Sequence, residues 1–227
     1  MSLITIERKI LEKNDEIARQ NRARLAEHGV LAVNLVSSPG SGKTSLIERT
    51  LDQLNGKLRV AVIEGDVHTS LDAERIARYR VPVVQIVTHG GCHLDAHLVR
   101  EAMAKMDLSC VDLLIIENVG NLVCPANYDL GEAMKIVIIS TTEGDDKPLK
   151  YPAMFRNAAV LVINKIDLLP HLDCQLDLLR RHALQINPAL KVFETSCTTG
   201  AGISEWCAWL EATTRRESVT KPARHEG

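Results

Sequence analysis

The stretch Ser37-Ser38-Pro39-Gly40-Ser41-Gly42-Lys43-Thr44 places two glycines, a lysine and a terminal hydroxyl where a phosphate group could be held. Gly40 and Gly42 free the backbone to wrap its N–H groups around phosphate oxygens. Lys43 adds a mobile positive charge, and Thr44 offers a hydroxyl to Mg²⁺. Ser41 and Ser45 belong to the same cradle. Ser37 stands where such loops usually begin with glycine, but the close approach to phosphate falls on the later glycines. Further along, Asn164-Lys165-Ile166-Asp167 carries the groups that read a guanine base. A carboxylate at Asp167 accepts from both the N1–H and the exocyclic amine, an arrangement adenine cannot match. Asn164 would brace the loops and Lys165 would lie over the base, while Ser196-Cys197 could direct backbone N–H groups at the guanine carbonyl.

Between these lie groups suited to sensing a γ-phosphate. Glu64-Gly65-Asp66 can hold Mg²⁺ directly or through water, with Thr69 a candidate closing ligand. Glu117 and Gly120 have the spacing of an Asp-x-x-Gly switch with Glu in place of Asp. Glu117 would reach Mg²⁺ through a water and the Gly120 N–H would meet the γ-phosphate. Lys43, Asp66, Glu117 and Gly120 are therefore the candidate catalytic set for hydrolysis of GTP to GDP. Asn121 follows where fast hydrolases place Gln, and its shorter side chain is poorly suited to orienting water. The expectation is slow intrinsic turnover, with Asp66 the candidate for polarising the water.

A second chemistry sits beside the first. Cys92 and His93 follow the third apolar run through Thr88-His89-Gly90-Gly91, and Cys124 follows the fourth, a separation of 124 − 92 = 32 residues. If those strands are neighbours, two thiolates and one imidazole converge at the end of a sheet. Such a set suits Zn²⁺ or Ni²⁺ and leaves a position open for exchange. His97, one helical turn beyond His93, is a candidate auxiliary ligand.

These residues must be positioned by a scaffold. Val- and Ile-rich runs at 31–36, 60–64, 83–87, 113–117, 136–140, 160–164 and 192–194 read as strands buried on both faces of a parallel sheet. Helical periodicity at 45–54, 71–79, 94–106, 149–157, 172–184 and 203–212 alternates with them. That alternation implies a doubly wound α/β sheet with helices on both faces, and ligands gathered at the strands' carboxyl ends. Residues 2–28 add an N-terminal amphipathic helix through Leu3, Ile6, Ile10 and Ile17, with Leu11, Ala18 and Leu25 repeating every seven. It is suited either to its own domain or to a partner. The expected division is a helix at 1–28, a nucleotide domain at 29–215 and a polar tail at 216–227.

At 227 residues and 45% hydrophobic content the chain can bury one substantial core. A net charge of −2 supplies no basic field for sequence-independent nucleic-acid binding. No apolar run reaches bilayer length and no signal segment is evident, so a membrane is excluded as a partner and a cytoplasmic location is expected. Six cysteines without dense spacing argue against a disulfide scaffold.

The stretches 37–44, 64–69, 90–96, 117–130, 143–152 and 164–167 together closely resemble the HypB family, the hydrogenase nickel-incorporation GTPases among the metallochaperone P-loop GTPases. The similarity runs from about Leu31 to Leu210 and is most specific at 117–132 and 143–152. It implies a P-loop NTPase fold and a GTP-dependent homodimer. It also implies nickel delivery to the large subunit of [NiFe]-hydrogenase with a small zinc-containing accessory protein, for which the N-terminal helix is a docking surface. The family's metal ligands map onto Cys92, His93 and Cys124 near a dimer interface, and His97 matches a ligand of some relatives. Lys147 would lie near the nucleotide or the dimer contact.

Some relatives carry an N-terminal cysteine motif or a histidine-rich tract. Here the first cysteine is Cys92 and the first histidine His28, so metal handling is expected at the switch-linked site alone. The urease accessory GTPases share fold and cargo, but their Cys-Pro-His motif is absent. A signalling GTPase with structural cysteines and a small-molecule kinase are further readings; the kinase leaves 164–167 without a role.

Overall fold

The computed structural model describes residues 6–67 and 71–219. Seven strands form one wholly parallel sheet in the order β3-β2-β4-β1-β5-β6-β7: β1 (Leu31–Ser37), β2 (Val60–Asp66), β3 (Val83–Val87), β4 (Leu113–Glu117), β5 (Met134–Ser140), β6 (Val160–Asn164) and β7 (Lys191–Glu194). All seven coincide with the apolar runs to within three residues at either end. Parallel pairing needs crossover connections, and the crossovers cover both faces. This is the P-loop NTPase arrangement, with β1 at the centre and the chain filling the sheet first on one side of it, then on the other.

Alternate residues of each strand feed different layers. Val33, Leu35, Val62, Ile115, Ile138 and Val162 pack against α2 (Lys43–Leu54), α3 (Leu71–Ala77) and α8 (Ile203–Val219). On the opposite face Ala32, Ile63, Leu114 and Ile116 meet α1 (Ile6–Glu27) and α4 (Ala96–Met103). Val36, Val137, Ile139 and Leu161 meet α6 (Pro152–Arg156) and α7 (Leu176–Ile186), with the single-turn α5 (Lys147–Lys150) just before α6. Under α8, Trp206 is fully buried and donates through Nε1 to Thr50 Oγ1 at 2.9 Å, so its one polar atom is satisfied.

Several helix boundaries differ from the sequence reading. The stretch 149–157 is two short helices, because Pro152 lacks the N–H that would continue the first. The helix expected at 94–106 begins at Ala96, where Asp95 caps it by accepting from the Leu98 N–H at 2.8 Å. The helix expected at 172–184 starts at Leu176, after a 3₁₀ segment at Ile166–His171.

The N-terminal helix lies on the domain, with Asn14, Ala18, Asn21 and Leu25 buried. Leu11, Ala18 and Leu25 repeat as the sevenfold spacing predicts, but Ile10 is exposed, Leu3 lies outside the described residues and two asparagines share the buried face. Asn14 donates to Asp129 O at 2.8 Å and accepts from the Ala96 N–H at 2.9 Å. Asn21 Nδ2 bridges Ala96 O and Leu130 O at 2.8 and 2.9 Å. The helix is thereby pinned to the segments that follow His93 and Cys124. At the other end, α8 runs to Val219, into the stretch read as tail. Among the described residues no helix is long and apolar enough to cross a membrane.

Candidate functional site

The phosphate loop joins β1 to α2. Gly42 adopts φ +96, and a Cβ there would lie 2.5 Å from Asn164 Nδ2, so only glycine lets the guanine-side loop approach this closely. Asn164 Nδ2 donates to Ser41 O at 3.0 Å, Thr195 Oγ1 donates to Asn164 Oδ1 at 3.3 Å, and Lys165 Nζ donates to Gly40 O at 2.7 Å. Asn164 and Lys165 thus bolt the two motifs together. Ser37 accepts from Lys43 Nζ at 2.8 Å, so the residue that replaces the usual glycine parks the phosphate-binding ammonium. Burial lowers the Lys43 pKa, opposed chiefly by Glu117.

The β2–β4 register sets Glu64 directly beside Glu117. Thr44 Oγ1 donates to Glu117 Oε1 at 2.8 Å. Glu64 Oε2 and Glu117 Oε2 are buried without a hydrogen-bond partner. Burial, reinforced by Glu117 and Asp66, pushes Glu64 up to about 8; burial pushes Glu117 up to about 7 against the pull of Lys43. Carboxylate oxygens of Glu64, Asp66 and Asp72 lie within 4.8 Å of one another. Two orphaned carboxylate oxygens beside a hydroxyl and two further acids are a donor set for a hard divalent cation. The set fits Mg²⁺, which Thr44, Asp66 and Glu117 would hold.

These groups line one cavity of about 530 Å³, together with Gly40, Gly42, Ser45, Gly120 and Lys165. Asp167 lies outside the lining of this cavity, and its Oδ1 is buried without a partner. The Ser196 N–H donates to Ala201 O at 2.9 Å and closes the turn that presents Cys197, whose carbonyl Arg49 holds at 2.7 Å. Lys147 lies outside the cavity lining, with Nζ 3.5 Å from Glu143 Oε2 and 5.3 Å from the Tyr151 ring centroid. Thr69 lies outside the described residues.

Cys92, His93 and Cys124 converge, with one ligand atom from each within 4.8 Å of the others. They do so by a route other than the neighbouring strands their spacing suggested, since β2 separates β3 from β4. The turn after β3 folds back across the end of β2. The Thr88 N–H extends the β2–β3 ladder by donating to Asp66 O at 2.9 Å, Thr88 Oγ1 donates to Gly91 O at 2.7 Å within the turn, and past the turn Leu94 packs against Gly65 of β2. Cys92 Sγ lies 3.5 Å from His93 Nδ1. The neighbouring Cys124 thiol, with burial, raises the Cys92 pKa, while burial lowers His93. Neutral imidazole and a close thiol pair are a soft donor set suited to Ni²⁺ or Zn²⁺. His93 packs on Tyr128 with ring centroids 4.0 Å apart. His97 does not join the trio: its Nδ1 sits 2.9 Å from Arg100 Nη2 and its Nε2 3.4 Å from Glu101 Oε1.

Three contributors had no signal strong enough to be named from sequence. Asp72 joins the acidic group, and Arg75 bridges Asp72 at 2.9 Å and Glu48 at 2.5 Å; only their i,i+3 spacing on a helix hints at this. Asn118, one residue past Glu117, is fully buried and bonded on both sides of its amide.

Comparison with known proteins bears on the same residues. The nucleotide-binding domain described as CobW/HypB/UreG matches residues 31–194. The hydrogenase maturation factor HypB of Azotobacter vinelandii is 53% identical over 209 residues, covering 92% of this chain and 69% of that protein. The crystal structure of HypB from Helicobacter pylori in complex with nickel superposes with a TM-score of 0.86 at 35% identity, covering 95% of this chain and all of that one. The hydrogenase maturation factor HypB of Archaeoglobus fulgidus gives a TM-score of 0.84 at 40% identity, covering 89% and 99%. The chain belongs to the CobW/HypB/UreG nucleotide-binding family, and within it to the HypB hydrogenase maturation factors.

Proposed function

We propose that this chain is a GTP-hydrolysing metallochaperone that assists nickel insertion into the large subunit of [NiFe]-hydrogenase, with nucleotide state coupled to dimerisation and to metal affinity at Cys92, His93 and Cys124. The observation that carries this reading is the position of Cys124. It follows Gly120, where a γ-phosphate would be sensed, by four residues, yet its thiol reaches the Cys92–His93 pair. One loop therefore serves both sites, and a ligand at one can bias the other only through such shared structure.

In this reading the GTP phosphates enter the cavity over Gly40–Thr44, and Lys43 moves from Ser37 to the phosphate oxygens. Bound Mg²⁺ would neutralise charge developing on the transferred phosphoryl. Asp167 accepts from the guanine edge, and Asp66 is the acid best placed by chemistry to polarise the attacking water. Asn121 is engaged elsewhere: its Nδ2 donates to Cys92 O at 3.3 Å and its Oδ1 accepts from the Val123 N–H at 2.8 Å. That engagement supports slow intrinsic hydrolysis. The nickel cargo would be held by two thiolates and His93, and a small zinc-containing accessory protein would engage the N-terminal helix in the cytoplasm.

Native mass measurement of the purified protein with GDP or a non-hydrolysable GTP analogue, with and without Ni²⁺, tests this. The expected species with analogue is a dimer carrying nucleotide and metal, and with GDP a monomer. A monomer that takes up no Ni²⁺ under any condition would sink the reading.

A further inference from the structure

We infer that Asn118 and Asn121 form a two-point clamp that transmits the position of Gly120 to the metal-ligand segment Cys92–Leu94. The inference deepens the coupling just proposed and rests on it. The two asparagines straddle Gly120 in the chain, and each holds one end of the same segment. On one side, Asn118 Oδ1 accepts from the Leu94 N–H at 3.0 Å and from its neighbour Val119 N–H at 3.0 Å. One carbonyl oxygen thus joins the switch backbone to the residue directly after His93. On the other side, Asn121 Nδ2 donates to Cys92 O at 3.3 Å.

The two bonds differ in character. Asn118 is 1% exposed and its orientation is fixed, because Nδ2 donates to Asn34 Oδ1 at 3.2 Å and Asn34 in turn donates to Glu132 Oε1 at 3.1 Å. Glu132 Oε2 accepts from the Leu130 N–H at 2.7 Å, so the chain of bonds ends on the segment after Cys124. A buried amide with both ends satisfied cannot rotate away without stranding its donors and acceptors. It acts as a rigid strut. Asn121 is less buried and makes the outer contact.

A Cβ on Gly120 would lie 3.1 Å from Pro39 Cα, so the switch backbone already touches the phosphate loop. Any shift of Gly120 toward a γ-phosphate would pull Val119 and Asn121 with it, and through the clamp both ends of Cys92–Leu94. Both asparagines are positioning residues, since neither is a metal ligand.

The test is the ratio of Ni²⁺ dissociation constants measured with GDP and with a non-hydrolysable GTP analogue, taken within each variant so that absolute affinity drops out. The expectation is a ratio at least fivefold from unity in the wild type, reduced at least threefold toward unity by Asn118→Ala or Asn121→Ala and abolished by both. A wild-type ratio of one would overturn the coupling reading together with the clamp. A wild-type ratio far from one that both variants retain would overturn the clamp alone. Should Asn118→Ala fail to fold, amide hydrogen exchange in the wild type decides: Val119 and Leu94 must change protection together between the two nucleotide states. A change at Val119 with none at Leu94 overturns the inference.

Discussion

Replacing Glu64 by Gln should change how stability depends on pH more than it changes the fold. Glu64 sits on β2 beside Glu117 of β4, with Oε2 buried and unpartnered, and its pKa stands at about 8 against an ordinary 4.5. The raised value means the folded state holds a proton that the unfolded chain releases, so the stabilisation is full below pH 4.5 and is lost as pH rises through 8. At about 1.4 kcal/mol per unit the whole span is on the order of 5 kcal/mol, of which about 3 kcal/mol falls between roughly pH 5.5 and 8.5. The Glu117 charge supplies part of that shift, so the contributions of the two acids do not add. Urea denaturation in nucleotide-free buffer with a chelator should show wild-type stability falling over that range. Glu64→Gln, which keeps the shape and removes this titration, should show a shallower line whose remaining slope comes from Glu117. Saturating Mg²⁺ and GDP should also flatten the wild-type slope, because a bound cation favours the ionised carboxylates. Parallel lines for wild type and variant, within about 0.5 kcal/mol, would refute the assignment of a buried proton to this pair.

Three further outcomes follow from the geometry. Asp167→Asn replaces one acceptor of the base pair of bonds by a donor, so GTP affinity should fall by about a hundredfold or more while xanthosine triphosphate gains, read by competition binding. Gly131→Ala should cost about 2–4 kcal/mol in denaturation experiments and expose α1 to protease; Gly131 has φ +94, and a Cβ there meets Asn21 Cβ at 2.5 Å and Ala18 O at 2.8 Å. The double variant Cys92→Ala, Cys124→Ala should lose stoichiometric Ni²⁺ with GDP affinity within a few-fold of wild type, measured by metal analysis and calorimetry; unchanged metal content would favour a signalling GTPase with structural cysteines.

The strands were legible because burial on both faces writes itself as unbroken apolar runs, and the phosphate loop because its glycines and lysine are contiguous. That 164–167 meets the phosphate loop was legible from its order behind that loop. Strand order was not, and it matters here: β2 lies between β3 and β4, so Cys92 reaches Cys124 by a turn crossing over a strand and not by adjacency. The role of Asn121 was read only in part. Its side chain is short for orienting water, as its type suggests, but nothing local announces that it bonds to Cys92, 29 positions away in the chain. Asn118 carries no local signal for the same reason, since an asparagine after a strand reads as a turn former until its buried partners Asn34 and Leu94 are known. Asn14 and Asn21 were hidden on a helix whose apolar spacing drew attention to Ile10, which is exposed.

The central claim is that one loop serves nucleotide and metal. Titration of Ni²⁺ into the wild-type protein, once saturated with GDP and once with a non-hydrolysable GTP analogue, tests it most directly. Metal affinities that differ by fivefold or more, about 1 kcal/mol of coupling, are the predicted result. Equal affinities in the two nucleotide states would contradict it.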